Sequence, residues 1–276
     1  DAQSARMAIT IGFEGGGGGE YADFFASYEV SSEGMTDLQS GDSAVTVDLG
    51  SAAAALATAT GKDVEMVAII ETRNVGGVAY MRSPIFTEAL DTGRSWISIN
   101  AAALLGVDDE TISQLSGQSN PLANITLLSG ASRGVEEVGH EEVRGVETTH
   151  YTATVSLGEL AEQELEALPP ELRDKVGPGG PALAQFGRLG AYLHDIDAPT
   201  EVWVDDDGRL RKMTMLIDMR RALGSVAPPV EDLDDVDDLS LAYTFEMYDY
   251  GVDVDVEAPP ADEVMDVTDG IDDLID

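Results

Sequence analysis

From Leu239 to Met247 every second residue is large and apolar (Leu239, Leu241, Tyr243, Phe245, Met247), with Ser240, Ala242, Thr244 and Glu246 standing between them. Successive side chains of a strand point to opposite faces, so a period of two describes a strand with one dry and one wet side. The pattern recurs at Met7, Ile9, Ile11 and Phe13, at Val45, Val47 and Leu49, and at Tyr151, Ala153, Val155 and Leu157. Repeated one-sided alternation is the mark of a large antiparallel sheet covering something apolar on one side only. Function then turns on whether that dry face covers a filled core or an apolar cavity.

A chain of 276 residues, 43% of them apolar, is long enough for one large β-rich domain. We expect a single domain over residues 1–265 and a fraying acidic tail over 266–276. The nearest apolar runs, Ala52 to Ala59 and Ala101 to Val107, are alanine-rich and far shorter than the roughly 20 residues that span a bilayer. With no cysteine among these residues, disulfides, thiolate nucleophiles and cysteine-ligated zinc are excluded within them. Acidic residues number 53 against 15 basic ones, a net charge of −38. Such a field repels phosphate backbones, so nucleic acid is not a partner. The acidic residues are spread along the whole length, as on a surface kept hydrated in a saline medium that screens self-repulsion.

Alternation and turn residues place strands at about 5–13, 21–32, 43–49, 63–72, 77–83 and 95–99. The glycine loop Gly15 to Gly19 and a turn at Asn74 to Gly77 join them. Short helices are expected at Asn100 to Gly106, Asp109 to Leu115 and Pro121 to Leu128, with Asp108 or Asp109 and Asn120 as N-caps. Strands resume at about 133–141 and 145–157, reversing near Arg144 and Gly145. A helix then runs to Leu168, stopped by Pro169 and Pro170. Phe186 and Leu189 belong to one stripe of a further amphipathic helix with Ala182 and Leu193. A hairpin pairs Thr200 to Val204 with Leu210 to Met219, and its second arm sets Met213, Met215 and Ile217 on one face. Methionine is flexible and polarisable, which suits a core or a surface adapting to varied apolar shapes.

Catalytic patterns are thin. Gly130-Ala131-Ser132-Arg133-Gly134 matches G-x-S-x-G, but that elbow needs a strand before the serine and a helix after it, whereas a strand follows here. His140, His150 and His194 lack the i, i+3 or i+4 spacing of a metal site, so no metal is expected. His150 falls on the wet side of its strand and reads as an exposed residue. Asp205-Asp206-Asp207-Gly208 puts Trp203 where a calcium loop needs its first ligand, so it reads as a hairpin turn. Gly15 to Gly19 is followed by Glu20 and by an expected strand, not a helix, so it is not read as a dinucleotide loop. No cofactor is expected and no catalytic centre emerges.

Three segments carry a resemblance: Glu136 to Tyr151 (EEVGHEEVRGVETTHY), Pro199 to Leu210 (PTEVWVDDDGRL) and Val254 to Ala261 (VDVEAPPA). In this order and spacing they resemble the LppX/LprG-type lipoproteins of actinobacteria, relatives by fold of the LolA and LolB lipoprotein carriers. The resemblance runs over nearly the whole chain. It implies an α+β fold in which a large curved antiparallel half-barrel sheet wraps around a few short helices. It implies an exported, non-catalytic cell-envelope protein, with a signal peptide and an acylated anchor cysteine ahead of these residues. Lipid or lipidated glycan, carried between membrane and envelope, is the ligand it implies. Extreme acidity and the pentaglycine loop depart from that family's pattern.

Cavity-lining candidates come from the dry strand faces and helix stripes: Met66, Ile70, Leu104, Leu105, Leu122, Ile125, Leu128, Phe186, Leu189, Met213, Met215, Ile217, Phe245 and Met247. Two other readings compete with a carrier. One is a sensor or protein-interaction module with a filled interior; the other is a serine hydrolase built on Ser132.

Overall fold

A computed structural model describes residues 3–15, 22–60, 68–84, 93–108, 111–112, 130–170, 172–173, 196–224 and 238–268. Its strands are β1 (Ser4–Glu14), β2 (Glu29–Asp37), β3 (Ser43–Asp48), β4 (Ile69–Val75), β5 (Val78–Arg82), β6 (Trp96–Asn100), β7 (Ser132–Val143), β8 (Val146–Ser156), β9 (Asp197–Asp205), β10 (Leu210–Asp218), β11 (Ser240–Tyr248) and β12 (Val264–Asp266). The described helices are α1 (Ala22–Ser27), α2 (Gly50–Thr60), α3 (Ala101–Leu105), α4 (Leu157–Ala167) and α5 (Met219–Gly224), with a 3₁₀ turn at Ala261–Glu263.

All twelve strands form one sheet in the order β12-β6-β5-β4-β3-β2-β1-β11-β10-β9-β8-β7. It ends on β12 and β7, so it is an open α+β wall and not a closed barrel. β1 sits mid-wall because β11 returns along it in antiparallel register, Ile9 opposite Phe245 and Phe13 opposite Leu241. That pairing joins the two halves of the chain. Every pairing is antiparallel except the last, in which β12 lies parallel to β6 with Val264 beside Trp96. The fully antiparallel expectation is corrected there: β12 is three residues long, too short to show a period.

Local chemistry sets the boundaries. The Asn100 side chain accepts from Ala103 N–H at 2.9 Å and caps α3, while Ser156 caps α4. The β7–β8 hairpin reverses at Arg144 and Gly145, with φ of 49° and 82°. Consecutive positive φ values match the primed turn that suits twisted strands, and glycine takes one of the two places. At Gly34 a Cβ would come within 2.3 Å of the Ala44 carbonyl oxygen on β3, so only glycine allows β2 and β3 to approach this closely.

Two segments differ from the sequence expectation. Residues 22–27, expected within a strand, form α1, whose Phe25 packs edge-on against Phe13 at 5.1 Å. The alanine run 52–59 lies in α2, with Ala52 and Ala55 buried. Alanine is the best helix former, and a run of it leaves no amphipathic stripe to read. No described helix is long and apolar enough to cross a membrane. Of the helix expected at 109–115 only residues 111–112 are described, and they are helical; the expected helices at 121–128 and 182–193, the loop residues 16–19 and most of the tail lie outside the described residues.

Candidate functional site

Strand pairing lines up the dry positions in transverse rows. One row reads Ile70, Val47, Ser32, Ile9, Phe245, Met213, Val202 and Tyr151. The next reads Val30, Ile11, Tyr243, Met215, Thr200 and Ala153, and a third begins Phe13, Leu241 and Ile217. All belong to the face that carries the helices. Phe13 meets Phe25 of α1 and Tyr28 beyond it. Ile217 packs with Leu160 of α4 and Ala222 of α5 around Met215.

The wall is covered unevenly. At the β8–β10 end Ala131, Val155, Leu157, Ile196, Ala198 and Met215 form a buried cluster closed by α4. Toward β1–β4, Ile9, Ile11, Phe13, Val45, Val47 and Ile70 are only half-buried, as are Tyr243 and Phe245 on β11. Burial pushes the Tyr243 phenol above its usual pKa. Eight large side chains on one face, each partly uncovered, make an apolar surface that water wets at a cost and a hydrocarbon would cover.

Of the candidates named from sequence, Ile70, Met213, Met215, Ile217 and Phe245 are brought together on this wall. Met247, opposite Met7, is on the same face and fully buried. Leu104 and Leu105 sit on α3 beyond β6, Leu104 exposed at 46% and Leu105 half-buried. Met66, Leu122, Ile125, Leu128, Phe186 and Leu189 lie outside the described residues. Sequence reading omitted Ile9, Ile11, Phe13, Tyr243 and Val202; the alternation of β1 and β11 identifies the first four, and only pairing adds Val202.

The opposite, outer face is built differently. His150 lies on it, as its strand position requires, but is 6% exposed rather than open to solvent. Trp203 on β9 stacks on its ring at 4.3 Å and 10°. Glu141 on β7 accepts from Trp203 Nε1–H at 3.0 Å and meets His150 Nδ1 at 3.2 Å. The indole N–H, above all, holds the Glu141 carboxyl below the usual carboxylate range. Lys212 covers the other side of the Trp203 ring at 4.6 Å. Further along, Arg144 bonds Glu246 at 2.8 Å and lies over Tyr248.

The chemistry weighed from sequence resolves locally. Ser132 opens β7 after a turn of helix at 130–131, the reverse of a nucleophile elbow. His194 and Asp195 lie outside the described residues. The Asp205 carboxylate accepts from the N–H groups of Asp207 and Arg209 and pairs with Arg211 at 2.6 Å, so it serves the hairpin turn. Among the described residues no cluster of His, Asp and Glu is arranged to hold a metal ion.

No family model matches the chain. An uncharacterized 31.2 kDa protein from the rplA-rplJ intergenic region of Streptomyces griseus is 26% identical over 177 residues, 63% of this chain and 48% of its own length. The chain thus spans about half the length of the curated relative it matches. Among solved structures it is similar to LprF from Mycobacterium bovis, with a TM-score of 0.44 and 13% identity over 94% of this chain and 90% of that one. It is also similar to the lipoprotein LppX from Mycobacterium tuberculosis, with a TM-score of 0.41 and 13% identity over 93% and 90%. A LolA-superfamily protein from Nitrosomonas europaea gives a TM-score of 0.26 at 7% identity, covering 94% of this chain and 88% of its own. LppX belongs to the group that the three sequence segments resemble.

Proposed function

We propose that this chain is a non-catalytic lipid carrier of the cell envelope, which holds acyl chains of a lipid or lipidated glycan against the helix-side wall. The observation behind this reading is the run of half-buried apolar side chains from Ile70 across Val47, Ile9 and Ile11 to Tyr243 and Phe245. Covering such a surface with hydrocarbon releases about 0.8 kcal/mol per methylene. A long acyl chain is then held without a dedicated polar contact. The acidic exterior keeps the loaded protein dissolved. In this reading the protein works outside the cytoplasm, tethered by an acylated cysteine that precedes these residues, and moves its ligand between membrane and envelope.

Native mass spectrometry of the protein purified from its own host, with organic-solvent extraction of the same sample, tests the proposal. A co-purifying, extractable lipid is expected, and Ile11→Asp together with Phe245→Asp should lose it. A wild-type protein that carries no lipid and takes up none from palmitate-loaded micelles overturns the carrier reading.

A second reading, an interaction module, has one observation in its favour. β7 is an edge strand on which Val135 and Val138 are 59% and 56% exposed. An open edge with exposed apolar side chains is a place where another strand adds. Saturable binding of a partner peptide abolished by Val135→Lys and Val138→Lys, in a protein free of lipid, would favour it.

A further inference from the structure

The outer face holds a buried titratable group that lipid carriage does not use. His150 on β8 is buried, yet among the described residues its Nε2 has no hydrogen-bond partner. Its Nδ1 lies 3.2 Å from Glu141 Oε1 on β7, while Glu201 Oε1 on β9 stands 3.9 Å from Nε2. The Trp203 indole N–H keeps the Glu141 carboxyl ionised to lower pH than usual, and an ionised carboxylate only accepts. The hydrogen in the Glu141 contact therefore belongs to His150 Nδ1. In the neutral ring Nε2 is then a bare acceptor, and what faces it is a second carboxylate.

Two opposed acceptors, one of them buried, leave a hydrogen bond unmade. One proton on Nε2 supplies the missing donor, and imidazole is the side chain that takes such a proton between about pH 5 and 8. A metal ion would need a third ligand, and among the described residues no group of three is arranged to hold one. The Glu201 side chain is half exposed, so it is free to swing the roughly 1 Å that brings it to hydrogen-bond distance. Lys212 of β10, on the far face of the Trp203 ring, opposes a positive charge on His150. Glu136 of β7, beyond Thr152 in the row of Glu201, favours one. Asp205 of β9 is committed to Arg211, and on β8 itself the same-face neighbours Thr148 and Thr152 are uncharged.

We propose that His150 is a proton-operated clasp: once protonated it donates from Nδ1 to Glu141 and from Nε2 to Glu201, tying the edge strand β7 to β9 across β8. β7 is the strand that gains from such a tie. It has a neighbour on one side only, its register on β8 shifts twice by Gly139, and residues 133–138 are exposed. The clasp sits just past the second shift, so Gly139 to Val143 are held more firmly at acid pH. The site is on the far side of the sheet from the apolar wall, and the inference holds whether or not that wall carries lipid.

The test is NMR on the full chain between about pH 8 and pH 5. Ring carbon signals of its three histidines report protonation, and the signal missing in His150→Gln assigns His150. The Glu201 carboxyl carbon and the Trp203 indole N–H should shift with the same midpoint as His150. Amide exchange at Gly139 to Val143, corrected for the intrinsic effect of pH, should slow about threefold or more across that midpoint. Glu201→Gln is the main variant, since it alters an exposed side chain and its amide donates to the neutral ring. It should lower the His150 midpoint by about half a pH unit or more and flatten the exchange step. His150→Gln, which alters a buried side chain, is the second variant and should also lack the step. An unchanged His150 midpoint in Glu201→Gln overturns the inference. So does β7 exchange that is equal on both sides of the wild-type midpoint, or a His150 ring that stays neutral down to about pH 5.

Discussion

The two ends of the helix-side wall have the same alternating sequence and opposite fates. Near β8–β10, Val155, Ala198 and Met215 are sealed under α4 into a cluster that excludes solvent. Near β1–β4, Ile9, Ile11, Val47 and Ile70 point to the same side and stay half-buried. Alternation therefore decides which side of a strand is dry, and the elements laid across that side decide whether dryness becomes core or vacancy. In the proposed carrier, the closed end would anchor the fold and the half-buried end would take the guest.

The sharpest way to break that comparison is to truncate both ends. Met215→Ala removes a buried side chain from a closed cluster and should cost about 2–5 kcal/mol, read as a lower midpoint in urea. Ile11→Ala on the partly open end should cost roughly half as much or less, because part of its surface is already wet. Equal losses would show that the two ends are packed alike. The same Ile11→Ala protein should bind palmitate several-fold more weakly, whereas Met215→Ala should leave that affinity nearly unchanged once folded.

Two titrations probe the β7–β10 half further. Burial raises the Tyr250 phenol from 10.0 to about 12, and its O–H donates to the Leu210 carbonyl at 2.6 Å. A raised folded pKa gives stability that is complete below the unfolded value of about 10 and lost as pH rises toward about 12. The Tyr250 phenolate, read as the absorbance that Tyr250→Phe removes, should appear only near the upper limit in the folded protein. Tyr250→Phe should flatten this alkaline loss at a cost of about 0.5–1.5 kcal/mol for the missing hydrogen bond. The smallest effect is expected at Glu141. Its depressed folded pKa means stability that is present above the unfolded value of about 4.5 and lost as pH falls through the folded one. In a Trp96→Phe background, Trp203 fluorescence should change on that acid limb, and Glu141→Gln should abolish the change.

Much of the wall was legible from residue order because a strand carries its burial pattern in its own period. The β7–β8 and β9–β10 hairpins and β11 were readable for that reason, as were the α3 and α4 helices through Asn100 and the Pro169-Pro170 stop. α1 was not, because Phe24, Phe25 and Tyr28 fit a strand as well as a helix; the packing of Phe25 and Tyr28 on Phe13 depends on β1, twelve and fifteen positions earlier. His150 looked exposed because its cover, Trp203 and Glu141, arrives from two neighbouring strands. A groove on the outer face was invisible for the same reason, since its residues come from five strands whose register no local window contains.

By itself, the sequence determined the one-sidedness of each strand, the sites of the main turns, and a net charge of −38. These follow from backbone geometry and summed charge, which act locally or add without regard to position. Tertiary structure alone decided that β11 closes on β1 and that helices seal one end of the wall and leave the other half-covered. Those outcomes depend on which distant segments meet, and pairing between strands is a property of the folded chain as a whole.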